Sequence, residues 1–158
     1  YTVKREIQSR MQTQGMYIIK DSKPAVDTKG RYYDFVIEMC ELGLLSLGYN
    51  NEFNPNELVS EREFITLTKT YLKRNFLKEE LWNTDHINLL DASENAVSPN
   101  RAKEIMYDIT TYNIKDEQTR TKIEEYIEKV APEGNEKMTL VRVYEILRYL
   151  KDFLVKEI

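Results

Sequence analysis

The chain has 158 residues, of which 41% are hydrophobic and 32% charged, and its formal net charge is −4. This length and apolar fraction suffice for one domain with a sizeable core, and they exclude a disordered chain. Lys and Arg are scattered among Asp and Glu, so the sequence lacks the clustered basic face that nucleic-acid binding requires. No apolar run approaches the roughly 20 residues that span a bilayer, so we expect no membrane insertion.

Helical periodicity predominates in the first half of the chain. Apolar residues three and four apart predict an N-terminal helical segment within residues 1–22. A stronger helix is predicted at about 32–45, and Gly43 lies near its end, where a left-handed residue is tolerated. Ser60 and Glu63 then form a capping-box pattern. We expect the Ser60 hydroxyl to accept from the Glu63 amide, and the Glu63 carboxylate to reach back to the Ser60 amide.

Three further helices are predicted downstream. Ser98 and Pro99 open the first of them, with proline at the first helical position, where its missing amide does no harm. The second spans about 116–130, and Thr139 caps the last. An apolar stripe at alternating three- and four-residue steps predicts that the last helix packs between others, with dimerisation through the stripe as the alternative. The stripe consists of Leu140, Val143, Leu147, Leu150 and Leu154.

A hydroxyl-capped helix start recurs along the chain, at Ser60, Ser98 and Thr139. The spacing of roughly forty residues predicts three similar units around a shared core, as in repeat proteins. Helix starts in general share this pattern, so unrelated caps remain an alternative at this point.

Residues 27–72 resemble a repeat of the S-layer homology (SLH) family, the modules that tie bacterial surface proteins to cell-wall polysaccharide. The matching positions are Asp27, Tyr32, Tyr33, Val36, Gly43, Gly48, Phe53, Pro55, Ser60, Glu63 and Phe64. The resemblance implies an all-α fold, a helical bundle of about three SLH-like helix–loop–helix units in a pseudo-threefold arrangement. We therefore predict a single domain over 1–158. It comprises an N-terminal helical segment (1–26) and units at 27–74, 75–113 and 114–158.

The same resemblance implies a non-catalytic module of a bacterial surface protein that anchors by binding cell-wall polysaccharide. Its ligand-binding residues are predicted to be Asp27, Arg31, Tyr32 and Arg62. The predicted location is the bacterial cell surface after secretion, with the cytoplasm as the alternative. An alternative function is a degenerate SLH-like scaffold that binds another surface protein or serves a structural role without binding sugar. A third is an accessory domain of a larger surface enzyme.

One motif position departs from the family pattern. In the family an arginine directly after the capping hydroxyl contacts the acidic, pyruvylated sugar, because a guanidinium matches carboxylate geometry. Here Glu61, Pro99 and Leu140 occupy that position, and Arg31 stands where the family has tryptophan. Arg31 and Arg62 can supply the charge from adjacent positions, but the departure keeps the scaffold alternative open.

No motif predicts catalysis, a cofactor or a metal site. His86 is the only histidine, and no recognisable motif places a nucleophile beside it, so we expect a structural or exposed side chain. The loop from Asp91 resembles an EF-hand only in part, since Ala96 replaces its glycine and Ala102 its bidentate glutamate. Cys40 lies in an apolar run, which predicts a buried side chain and not a reactive thiol. The expectation is therefore a protein without enzymatic activity, cofactor or metal.

Overall fold

The computed structural model describes residues 57–131, 134 and 136–158, and the structural statements below concern these residues. They contain four α-helices and no β-strand: α1 (Glu61–Arg74), α2 (Pro99–Thr111), α3 (Glu117–Val130) and α4 (Leu140–Glu157). Two short 3-10 helices, Glu79–Leu81 and Leu89–Asp91, lie between α1 and α2. The all-α prediction is thus confirmed for this part of the chain. The helix predicted at 32–45 lies outside the described residues.

Each described helix starts at the residue that the sequence predicts. The side chains of Ser60, Ser98 and Thr139 accept from the amide three residues on, at 3.0, 3.2 and 3.3 Å, and Asp116 does so at 3.2 Å. Each bond satisfies one of the amides that a helix start leaves unpaired. The capping box differs in one detail, because the Glu63 carboxylate accepts from the Ser60 hydroxyl at 3.2 Å and not from the Ser60 amide.

The residues just before three of these caps are joined in a closed ring of backbone hydrogen bonds, which we call the cap ring (Val59, Val97 and Met138). The Val59 amide donates to Met138 at 3.1 Å, the Met138 amide to Val97 at 3.1 Å, and the Val97 amide to Val59 at 2.8 Å. All three residues are only 1–2% exposed. Because a buried, unpaired amide is costly, the ring fixes three helix starts relative to one another.

The apolar faces of the four helices share one core within the compact unit 58–158. On α1, Phe64 and Tyr71 are fully buried, and the Tyr71 ring meets that of Tyr144 edge-on, with centroids 6.0 Å apart. The predicted stripe of α4 is buried along its length, so core packing covers it. Tyr126 is half-buried, and its ring stacks on that of Phe153 with centroids 4.1 Å apart.

The end of α1 has an unusual backbone conformation. Phe76 follows the C-cap Asn75 and has a φ of 62°. Its amide donates to the carbonyl of Lys73 at 3.1 Å, and the Leu77 amide donates to Leu72 at 3.2 Å, which together form a Schellman motif. Glycine usually occupies this left-handed position, because a Cβ disfavours it by roughly 1–2 kcal/mol.

None of the helices described here is both long enough and apolar enough to cross a bilayer.

Candidate functional site: a cationic groove on α1

Of the four predicted ligand-binding residues, the structure describes only Arg62, which is the second residue of α1. Asp27, Arg31 and Tyr32 lie outside the described residues. That these four side chains form one site therefore stays a prediction.

The guanidinium of Arg62 is bound to the loop 89–94. Its Nε donates to the Leu89 carbonyl at 3.0 Å, its Nη2 to the Ala92 carbonyl at 3.2 Å, and its Nη1 to the Glu94 carboxylate at 2.6 Å. A fourth, longer bond at 3.5 Å joins Nη2 to Leu90 in the same loop. A guanidinium has five donors, so little of this capacity remains for a ligand. Within the described residues Arg62 fastens the loop to α1.

Beside this loop, α1 carries a groove of about 510 Å³. Its lining residues are Ile65, Thr66, Lys69, Thr70, Lys73, Arg74, Thr84 and Leu89. Three of them are cationic, three carry hydroxyls and none is acidic, although the whole chain has a formal net charge of −4. We call these eight residues the α1 groove. Its charge is opposite to that of the chain as a whole, which favours an anionic ligand.

The three cations of the α1 groove lie close together along the helix. Lys73 is one turn beyond Lys69, and Arg74 is adjacent to it. The ion pairs of the described residues involve other cations. Like charges four residues apart destabilise a helix by a few tenths of a kcal/mol. For Lys73 and Arg74 the helix dipole offsets part of this repulsion, because both lie in the last turn. A bound anion would relieve the rest.

An aromatic ring holds one of these cations without neutralising it. The Nζ of Lys73 lies 5.3 Å from the centroid of the Trp82 ring, within the range of a cation–π interaction. Trp82 is itself fixed, because its Nε1 donates to the Leu77 carbonyl at 2.8 Å. Unlike an ion pair, this contact places no negative charge beside the ammonium.

The corresponding face of α2 carries a groove of opposite charge. Both grooves include the residues five, six and nine positions after the capping hydroxyl: Ile65, Thr66 and Lys69 on α1, and Lys103, Glu104 and Tyr107 on α2. The groove on α2 has a volume of about 420 Å³ and also includes Glu124 and Glu128. Its only cation, Lys103, is bound to Glu128 at 3.2 Å. Of these two faces, only that of α1 suits an anion.

A histidine–carboxylate pair joins the segment between α1 and α2 to α2 itself. The Nε2 of His86 is 2.8 Å from the Asp108 carboxylate, and the His86 ring stacks on Tyr112 with centroids 3.6 Å apart. In the described part of the chain no hydroxyl or thiol is hydrogen-bonded to His86. The pair fastens the segment between α1 and α2 to α2, which is the structural one of the two alternatives predicted for the single histidine.

The described residues contain no group of His, Cys, Asp and Glu side chains that could hold a metal ion. At the partial EF-hand pattern, the loop at 91–94 supplies oxygen atoms to Arg62, namely the Ala92 carbonyl and the Glu94 carboxylate.

The α1 groove was not predicted from the sequence, although a signal for it is present. No Asp or Glu occurs between residues 64 and 78, in a chain that has 27 acidic residues. Within that segment Lys69, Lys73 and Arg74 recur at the spacing of one helix face.

Comparisons with known proteins found no relative: no family model matches the chain, and neither a curated protein nor a solved structure does so.

Proposed function

We propose that this chain is a non-catalytic, SLH-like module of a bacterial surface protein that anchors by binding an acidic cell-wall polysaccharide. The observation that carries the proposal is the α1 groove, which is lined by cations and hydroxyls and by no carboxylate. Ammonium and guanidinium groups bind carboxylates through charge-assisted hydrogen bonds, and threonine hydroxyls can hydrogen-bond to sugar hydroxyls. The Thr66 hydroxyl donates to the Arg62 carbonyl at 3.2 Å, so it can serve a sugar only as an acceptor.

The cap ring supports the SLH-like part of the proposal. Its three segments share one sequence pattern, an apolar residue followed by a hydroxyl cap, and each donates one hydrogen bond to the next. The caps Ser60, Ser98 and Thr139 have nearly the same backbone angles, with φ of −74°, −86° and −84° and ψ of 162°, 159° and 160°. Such cyclic equivalence is expected of three helix–loop–helix units in a pseudo-threefold bundle.

The proposal also accounts for the glutamate at the family's arginine position. Glu61 accepts two hydrogen bonds from Arg101, at 3.1 and 2.9 Å, and this pairing is the main cause of the raised pKa of Arg101. The negative charge of Glu61 is therefore balanced within the fold and does not have to face the sugar. In our proposal the cationic role has moved further along α1, to Lys69, Lys73 and Arg74.

The alternative, a scaffold for contact with another protein, is favoured by one observation. Phe76 and Leu90 are 95% and 84% exposed, and large exposed apolar side chains mark a protein-binding surface where they form a contiguous patch. The location of these two side chains near a cationic groove leads us to prefer the polysaccharide.

A sedimentation assay with purified walls that carry a pyruvylated polysaccharide separates the two functions. We expect the chain to sediment with intact walls and to stay in solution when the polysaccharide has been stripped. Binding should also weaken as the salt concentration rises, because exposed charges are screened. Equal retention on stripped walls would contradict the proposal and favour the scaffold.

A further inference from the structure

The exposed ring of Phe76 is a feature of the described residues that neither the core nor the α1 groove explains. The residue is 95% exposed, although phenylalanine side chains are usually at least partly buried. It lies two residues beyond Arg74, which lines the groove. Two residues span at most about 7 Å, so the two Cα atoms are no further apart than that.

The fold itself gains nothing from a phenylalanine at this position. The left-handed conformation of Phe76 disfavours any Cβ, and glycine could make the same two Schellman hydrogen bonds without strain. The hydrophobic contact that accompanies such motifs falls to the next residue, Leu77, which is half-buried. Backbone outliers of this kind cluster at ligand clamps and active sites, where strain serves function.

The other phenylalanines that the structure describes are packed. Phe64 is fully buried, and Phe153 stacks on Tyr126. Phe76 therefore offers the one bare phenylalanine ring in this part of the chain. The two hydrogen bonds of the Schellman motif fix the direction of its Cα–Cβ bond, so the base of the side chain is oriented before a ligand arrives.

We propose that Phe76 is a platform on which a sugar ring stacks, next to the sugar whose acidic group is held by Lys73 and Arg74. Aromatic faces carry partial negative charge and attract the C–H groups on the apolar face of a pyranose. A polysaccharide is an extended ligand, so one chain can occupy the α1 groove and continue over Phe76. The inference deepens the proposed function and rests on it for the nature of the ligand.

The neighbouring cations favour a sugar over an apolar protein surface as the occupant. A protein patch that covered Phe76 would also take water from Lys73 and Arg74, and desolvating unpaired cations is costly. A sugar ring presents an apolar face to the aromatic ring and hydroxyls at its edges, so the cations keep polar partners. The groove and the ring together thus match an amphipathic, acidic saccharide.

The test compares Phe76→Gly with Phe76→Tyr as the matched control, using the acidic polysaccharide released from the walls. We expect Phe76→Gly to weaken binding about tenfold, which corresponds to the loss of one stacking interaction. At the same time its urea midpoint should rise, because the left-handed strain disappears. Phe76→Tyr keeps an aromatic face and should bind within about twofold of the wild type.

This opposite movement of stability and affinity distinguishes a ligand platform from a structural residue. Wild-type affinity in Phe76→Gly, or a fall in both stability and affinity, would overturn the inference while leaving the proposed function intact. The wild type could also be retained on stripped walls, with only Phe76→Gly losing this retention. That result would point to a protein partner and would also overturn the inference. If the wild type does not bind the polysaccharide, the proposed function and this inference fail together.

Discussion

Replacing Lys69, Lys73 and Arg74 together by glutamine is expected to weaken binding of the acidic polysaccharide by about 100-fold. An exposed charge pair or charge-assisted hydrogen bond is worth about 1 kcal/mol, and three of them add to about 3 kcal/mol, or roughly two powers of ten in Kd. Isothermal titration of the released polysaccharide into the wild type and the triple variant measures the difference.

The matched control replaces three cations elsewhere, in Lys115→Gln, Arg120→Gln and Lys129→Gln. These side chains are exposed on α3 and just before it, and their loss changes the net charge of the chain by the same amount. The control should bind within about twofold of the wild type, because none of its three side chains lines the α1 groove and exposed charges are screened by salt. Equal losses in both variants would mean that net charge, and not the groove, governs binding.

The triple variant is expected to fold at least as well as the wild type. Glutamine is a good helix former, and the substitution removes the repulsion between Lys69 and Lys73. Thermal unfolding followed by circular dichroism checks this point. A loss of affinity that accompanies an intact fold then reports on the site itself.

The second large effect concerns the cap ring and not the ligand. Val59→Asp and Met138→Asp are each expected to reduce the free energy of unfolding by about 3 kcal/mol or more. Both side chains are almost completely buried, so the substitution would place a charge in the core. Urea unfolding at pH 7 measures the change.

The residues immediately before these two provide the controls. Leu58 is 49% exposed and Lys137 is exposed, so Leu58→Asp and Lys137→Asp should each cost less than about 1 kcal/mol. The difference in stability between substitutions at neighbouring positions tests which residues form the cap ring. If the Leu58 and Val59 variants were equally destabilised, the ring as described would be wrong.

Helix starts were the part of the fold that the sequence predicted best, because a cap is a local interaction. The hydroxyl of Ser98 and the ring of Pro99 act within one helical turn, and neither depends on distant residues. The cap ring could not be predicted in the same way. Its hydrogen bonds join Val59 to Met138 and Val97, which lie far apart in the sequence, and backbone pairing leaves no pattern of its own in side chains.

At the candidate site too, the local features could be predicted from the sequence and the contacts between distant residues could not. Arg62 was predicted as a ligand cation from its place beside the motif position, but its surroundings depend on the loop 89–94, which only the fold brings to α1. Lys69, Lys73 and Arg74 could have been found from their spacing and from the missing acidic residues around them. The groove that they line also needs Thr84 and Leu89, which come from the connecting loop.

Phe76 could not be anticipated at all. A glycine after the last turn of a helix predicts a left-handed residue, and none stands at the end of α1. The observed conformation follows from the return of the chain at Leu77, whose amide is paired with Leu72.

The binding of an acidic polysaccharide in the α1 groove is tested most directly by amide chemical shifts in the isotopically labelled chain. In a titration with oligosaccharides released from the walls, we expect the largest shifts between Lys69 and Phe76 and at Thr84, with little change along α3. Shifts confined to the acidic groove of α2, or no shifts at saturating ligand, would contradict the account.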